Sequence, residues 1–232
     1  MLLGKSISLV LPCHNEEASL KVLLPAVPPC VDEVLVVDNA STDNSAEVAR
    51  SLGATVLFEG RKGYGFSIRR GLEAAKKDIV VVMDTDTTYA PEGIPRLAEI
   101  LIQENLEFIS GCRFPLTSFR GMPLSHRVGN RIITAFVNVL FGLKLADSQS
   151  GMWVFWRHVL PRMRLETGGM PFSTEIKVEA FGRVKLRARE CRIPFDRERV
   201  GVSKLSPASD ALCILGFLFR RKLGECGILS RR

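Results

Sequence analysis

The chain has 232 residues, of which 46% are hydrophobic and 25% charged. That is enough apolar material for one sizeable core, and the composition excludes a disordered chain. The formal net charge of +7 is uneven: from Arg157 onward 17 Lys and Arg face 8 Asp and Glu, which leaves the preceding part slightly acidic. A basic last third suits a polyanionic partner (a phosphate group, an anionic membrane or a nucleic acid) or forms a solvated face.

Met1–Lys5 leads directly into a strand pattern, so no leader segment is expected. Ile7–Leu11 is a short apolar run closed by Pro12, and a helical stretch from Glu17 to Leu24 stops before Pro25. Glu33–Asp38 is a second buried strand. Asn39–Asp43 is a polar turn rich in capping residues, and Asn44–Leu52 is a helix. Thr55–Glu59, Ile79–Asp84 and Glu107–Gly111 continue the strands, separated by helices over Tyr64–Ala75 and Pro91–Gln103. Beyond Gly111 the alternation loosens. A long helix is expected over Arg127–Phe141, a strand over Gly151–Trp156, a helix over Thr174–Phe181 and a strand over Lys185–Ile193.

Near-continuous Val/Ile/Leu strands alternating with helices predict an α/β fold. Its sheet should be mostly parallel, covered on both faces and joined by right-handed crossovers. One domain over residues 1–208 is expected, followed by a basic extension over 209–232. Within that extension Ala211–Phe219 is too short to span a bilayer, which needs ~20 residues, and is followed by Arg220, Arg221 and Lys222. It reads either as a membrane-surface helix with cations at the headgroups or as a core helix with a basic C-terminal end. The six cysteines include no C-x-x-C pair and the three histidines are scattered. Neither a zinc site nor a disulfide framework is expected.

In such sheets, ligands lie beyond the carboxyl ends of the strands. Pro12, Asn15, Glu16, Asp38, Asp84 and Asp86 all fall there. Asp84-Thr85-Asp86 is the strongest signal. Two carboxylates one residue apart repel unless a cation lies between them, and Mg²⁺ or Mn²⁺ takes such oxygens while keeping sites for a diphosphate. The alternative is a turn with two solvated aspartates. Asp38, closing a hydrophobic strand, can accept hydrogen bonds from a ribose or a base. Arg61-Lys62-Gly63-Tyr64-Gly65 is a cationic, glycine-permissive turn before a helix, although it matches neither a P-loop nor a dinucleotide fingerprint.

Taken in order, LPCHNEE (11–17), VLVVDNASTD (34–43), KGYGFSIRRG (62–71) and VVMDTDTTY (81–89) resemble the GT-A core of family 2 glycosyltransferases. Gly111-Cys-Arg113, Arg127-x-Gly-Asn130, Asp147-x-Gln-Ser-Gly151, Ser173-x-Glu175, Ile193-Pro194 and Arg199-x-Gly-x-Ser203-Lys204 resemble the dolichyl-phosphate mannose synthase branch. The resemblance covers nearly the whole chain. It implies a GT-A, Rossmann-like fold with a short C-terminal membrane-surface helix. It also implies transfer of a sugar from a nucleotide-sugar donor to a polyprenyl phosphate, at the cytoplasmic face of a membrane. Asp38 would hold the nucleoside, with Pro12, Asn15, Glu16, Lys62 and Gly63 around the donor, and Asp84 and Asp86 would hold metal and diphosphate. Arg113 and Arg127 would act in catalysis and, with Arg199, Ser203 and Lys204, hold the acceptor phosphate. One departure is Ala40, where members of the branch often carry glycine.

A phosphate acceptor is already anionic near neutral pH and needs no general base. Single displacement would invert the anomeric centre. A hydroxyl acceptor would need a carboxylate, and Asp147 and Glu175 are the candidates, both read as more structural than catalytic. Two alternatives stand beside this reading: a family 2 enzyme with a saccharide or small-molecule acceptor, and a catalytically idle GT-A module. Nucleic-acid binding is disfavoured, because the basic residues lack interleaved aromatics. The sugar (mannose, glucose or GlcNAc), the GDP or UDP carrier and the oligomeric state are not encoded legibly.

Overall fold

In the computed structural model, residues 1–116, 122–195, 199–200 and 207–225 are described. The expected phosphate ligands Ser203 and Lys204 lie outside them. Seven strands form one sheet: β1 (Ile7–Cys13), β2 (Glu33–Asp38), β3 (Thr55–Phe58), β4 (Ile79–Val82), β5 (Phe108–Cys112), β6 (Trp153–Trp156) and β7 (Ala188–Arg192). Their order across the sheet is β3-β2-β1-β4-β6-β5-β7. The helices are α1 (Glu17–Leu23), α2 (Ser45–Ser51), α3 (Tyr64–Ala74), α4 (Ile94–Gln103), α5 (Leu124–Phe141), α6 (Phe172–Lys177) and α7 (Pro207–Glu225).

The fully buried apolar runs of β1 and β4 explain why both sit centrally, with every residue of Ile79–Val82 buried. Leu9, Leu11, Val36 and Val81 point into one apolar layer, which also takes in Leu20, Ala49 and Leu97 from the helices of that side. Val10, Val37, Val80 and Val82 alternate into the other, with Ile68 of α3 and Ile176 of α6. The sheet is therefore covered on both faces, as expected.

β6 is the antiparallel member of the mostly parallel sheet that was expected. It runs antiparallel to both β4 and β5, while the other paired strands are parallel. The chain consequently enters β6 from the edge at which β1, β2 and β4 end. That entry brings residues 147–152 to the polar edge of the sheet.

Several boundaries also move. Pro91–Gly93 is a 3₁₀ turn, and the regular helix begins at Ile94. The expected Thr174–Phe181 helix starts at Phe172 and widens into a π-helical turn over Val178–Arg183. α5 begins at Leu124, three residues early, and ends on Gly142 in the left-handed conformation (φ 64°) that glycine adopts without steric cost.

α7 is longer than the nine-residue apolar run within it. Ile214 and Leu218 are buried against Ile133 and Val137 of α5 and against Val178. Arg221 is not turned outward like the exposed Arg220. It bonds the fully buried Glu179 and donates to the Arg164 carbonyl at 3.1 Å. The core-helix alternative therefore describes this face of α7, while Leu212, Phe219 and Leu223 remain exposed on it. Among the described residues, no helix is long and apolar enough to cross a membrane.

Candidate active site

The chain-order reversal between β1–β2 and β4 opens a crevice at the carboxyl edge of the sheet. Three turns line it, and each is fixed by side-chain bonds to its neighbour. After β1, Asn15 takes a left-handed φ of 53°. Its amide donates to Ser41 Oγ at 2.9 Å, and its Oδ1 accepts from the Thr42 amide at 2.7 Å. Pro12 offers its carbonyl to Thr85 Oγ1 at 2.7 Å, which ties the first turn to the third. Asp38 is buried at the end of β2 and accepts from the Ser41 amide at 3.2 Å. Ala40 beside it is held at φ 54°. A left-handed conformation is costly for an L-residue with a Cβ, which explains why glycine suits this position.

Asn39 was not singled out in the sequence, yet it stitches the turn after β2 to the loop that precedes α3. Its Nδ2 donates to the carbonyls of Glu59 and Arg61 (2.9 and 2.8 Å), and its Oδ1 accepts from the Gly63 amide at 2.7 Å. Arg61 pairs with Glu59 at 2.8 Å and lies over the Phe66 ring. Its guanidinium holds the Glu59 carboxyl down at about 2. Lys62 is exposed. Gly63 lies so close to the Gly168 carbonyl that a side chain there would collide with it.

The acids after β4 occupy different surroundings. Asp84 accepts from Tyr64 Oη at 2.6 Å. Protein walls it in, although an edge stays open to solvent. Burial first, then the neighbouring Asp86, pushes its carboxyl up to about 7. Asp86 turns Oδ1 inward to Thr88 (Oγ1 2.6 Å, N 3.2 Å), and its Oδ2 faces Arg199 Nη1 at 3.2 Å. Arg199 Nη2 also reaches Glu16 at 3.5 Å.

No group of three or more His, Cys, Asp or Glu side chains among the described residues is arranged to hold a metal alone. The donor set nevertheless fits a hard divalent cation. Asp86 Oδ2 and Asp84 could supply carboxylate oxygens, and a diphosphate and water would complete the shell.

The entry to β6 forms the back wall. Gly151 lies directly behind Asp84, and its amide donates to Tyr89 Oη at 2.8 Å. Asp147, fully buried, accepts from Arg113 Nε and Nη2 at 2.7 and 2.8 Å and from the Arg113 amide at 3.1 Å. Burial alone would raise the Asp147 carboxyl, but the guanidinium overcomes this and holds it down at about 2. Lys177, also fully buried, donates to the carbonyls of Asp147 and Ser150 at 3.0 and 2.9 Å. Burial pushes its ammonium down to about 7, partly offset by Asp147.

Glu175 accepts from the amides of Glu166 and Thr167 and from Thr167 Oγ1 at 3.0, 2.9 and 2.6 Å. Neither Asp147 nor Glu175 is thus presented as an uncommitted base. Arg127 sits in the first turn of α5 and donates Nε to the Met122 carbonyl at 2.8 Å.

The structure therefore gathers Pro12, Asn15, Glu16, Asp38, Gly63, Asp84, Asp86 and Arg199 around one crevice, with Arg113 behind it. Tyr64, Tyr89, Asn39 and Gly151 join them. Each stands inside one of the sequence motifs, but its role depends on a partner 20 or more residues away.

The family model described as "Glycosyl transferase family 2" matches residues 8–163. The low-salt glycan biosynthesis hexosyltransferase Agl6 of Haloferax volcanii is 30% identical over 90% of this chain, which spans 52% of that relative's length. A dolichyl-phosphate hexose transferase of the same organism is 29% identical, with 90% of each chain covered. Among solved structures, the glucosyl-3-phosphoglycerate synthase of Mycobacterium tuberculosis in complex with Mn²⁺, UDP and glucosyl-3-phosphoglycerate superposes with a TM-score of 0.78. It shares 24% identity, with 97% of this chain and 81% of that one covered. At that identity the likeness establishes the GT-A-like fold.

Proposed function

The chain belongs to glycosyl transferase family 2, and from that premise we propose that it moves a sugar from a nucleotide-sugar donor to a polyprenyl phosphate. The donor would be held with Mg²⁺ or Mn²⁺ at Asp84 and Asp86. The observation that carries the choice of acceptor is the state of the two carboxylates a hydroxyl acceptor would require. Asp147 is consumed by Arg113, and Glu175 by the 166–167 backbone. A nucleophile that is already anionic needs neither. The dolichyl-phosphate hexose transferase of Haloferax volcanii carries the same acceptor class in its name.

In this reading Asp38 and the Asn39-braced turn cradle the nucleoside, and Gly63 lets the backbone approach the donor. A bound divalent cation supplies charge neutralisation for the departing diphosphate. Asp84 and Asp86 fix its place, and Tyr64 and Gly151 fix Asp84. Arg113 presents positive charge at the back of the crevice, and Arg127, Arg199, Ser203 and Lys204 contribute cations and a hydroxyl toward the acceptor phosphate. The phosphate oxygen attacks the anomeric carbon as the diphosphate leaves, with inversion.

A membrane surface is part of the proposal. Leu124, Val128, Ile132, Phe136 and Val139 recur at helical spacing on α5 and are exposed, Val139 by 83%. Arg127 and Arg131 belong to the same helix, and Leu124–Phe141 contains no acid. An apolar face with only cations beside it suits the anionic headgroups of a cytoplasmic leaflet.

The test is transfer of labelled sugar from UDP- and GDP-sugars, with Mn²⁺, to a short-chain polyprenyl phosphate and to the matching polyprenol. Transfer to the phosphate alone is expected. Asp86→Asn should lower it on the order of 100-fold with the fold intact. Transfer to the alcohol but not the phosphate would sink the acceptor assignment. An absence of any metal-dependent donor turnover would favour an idle module.

A further inference from the structure

Arg199 occupies a place that a cation at Asp86 would contest. Its Nη1 lies 3.2 Å from Asp86 Oδ2, the oxygen left over once Oδ1 is engaged by Thr88, and its Nη2 lies 3.5 Å from Glu16. The segment that carries it is latched at the next residue. The Val200 amide donates to Thr87 Oγ1 at 3.1 Å, and the Val200 carbonyl accepts from Ser19 Oγ at 3.2 Å. One late segment of the chain thus bridges the turn after β1 and the turn after β4.

The arrangement is not a fully satisfied ion pair. The Arg199 Nε is buried and has no hydrogen-bond partner among the described residues. A buried donor left unpaired costs free energy, so the side chain sits in a position that favours charge neutralisation over hydrogen bonding. That is the position of a placeholder rather than of a fully bonded structural arginine.

We propose that Arg199 is a displaceable counter-ion. In the metal-free chain it neutralises Asp86 and Glu16. A divalent cation arriving at Asp86 expels the guanidinium, which becomes available to an incoming anion. The inference rests on the reading of Asp86 as a metal ligand. It deepens that reading by coupling two events: the acceptor-side cation is released only when the donor side is loaded, so the order of binding is metal with diphosphate first, acceptor phosphate second.

The experiment measures Mn²⁺ binding to the full chain without nucleotide, by the electron paramagnetic resonance signal of free Mn²⁺. It compares the wild type with Arg199→Gln and Asp86→Asn. Removing a competing unit charge some 3–4 Å from the ligand oxygen should tighten Mn²⁺ binding about fivefold or more. A residue that merely supported the site would weaken binding when removed. A second readout is trypsin, which must capture the Arg199 side chain to cut after it. Cleavage there, mapped by mass spectrometry against cleavage after the exposed Lys144, should accelerate as Mn²⁺ saturates the wild type. Equal or weaker Mn²⁺ binding by Arg199→Gln, or cleavage unmoved by saturating Mn²⁺, overturns the proposal while leaving the metal site standing. Absence of Mn²⁺ binding in all three proteins overturns the metal reading and this inference with it.

Discussion

Gly151 and Asp84 approach so closely that a Cβ at residue 151 would fall inside the van der Waals radii of both Asp84 carboxylate oxygens. A methyl group there must push the carboxylate off Tyr64 and out of line with Asp86. Gly151→Ala is therefore expected to lose on the order of 100-fold in turnover and to cost about 1–3 kcal/mol of stability. Gly129→Ala is the control. Nothing lies within 4 Å of its would-be Cβ, and it is interior to α5, so about 1 kcal/mol should be gained in urea unfolding. Equal behaviour of the two variants would contradict the packing described.

Asp147 predicts a pH signature. Its carboxyl sits at about 2 in the fold against an ordinary value near 3.8. The pair with Arg113 therefore contributes fully above pH ~4, and that contribution is lost as pH falls through about 2. The loss is on the order of 2 kcal/mol. Urea midpoints measured from pH 5 to pH 2 should fall more steeply for the wild type than for Asp147→Asn. At neutral pH the variant should be less stable by about 3 kcal/mol or more, because Arg113 is left buried without its counter-charge. Turnover per folded molecule should fall less than tenfold, since no base is removed.

Lys177 adds a pH dependence of the same sign in a higher window. Burial lowers its ammonium to about 7 from an ordinary 10.5, so the unfolded chain binds more protons between those values. Stability should climb as pH rises from 7 toward 10. Lys177→Met should flatten that climb in a pH series of thermal melts.

Ala40 carries a φ of 54°. Ala40→Gly removes the clash of the Cβ with the left-handed backbone, at the cost of a more flexible unfolded chain. The balance should be a gain of about 0.5–1 kcal/mol, read by chemical denaturation, with no loss of donor binding.

The α5 stripe gives a test of membrane contact that leaves the core untouched. Ile132 and Val139 are exposed, so Ile132→Asp with Val139→Asp should leave the melting temperature nearly unchanged. The double variant should abolish sedimentation with anionic vesicles. Wild-type protein that stays in the supernatant at low salt would remove the membrane from the functional reading.

Much of the scaffold was legible because buried strands declare themselves by apolar runs between turn residues. β2 falls on Glu33–Asp38 as read, and the acids at the strand ends follow from the alternation alone. The direction of β6 was not legible, since an apolar run such as Trp153–Trp156 carries no information on polarity within a sheet. Side-chain commitments were equally hidden. Nothing in the local sequence ties Arg113 to Asp147, 34 residues on, or shows that Arg221 turns inward while Arg220 beside it stays exposed. Such pairings are settled by tertiary packing, which spacing and composition do not report.

The anchorage of Arg221 has a mechanical consequence. Arg221 grips Glu179 and the Arg164 carbonyl, and Glu179 accepts from the Arg164 amide. The strand of backbone that follows is pinned by Glu175 at residues 166 and 167, and the Gly168 carbonyl accepts from the Phe66 amide in the first turn of α3. Two residues earlier, Tyr64 holds Asp84. α7 is thus the far end of a linkage that terminates on Asp84, the carboxylate proposed to hold the metal. Deleting it would leave Glu179 with Arg183 and the Arg164 amide alone and slacken the crevice at a distance. A C-terminal truncation of this enzyme therefore reports on catalysis and attachment together, and only surface substitutions can separate the two.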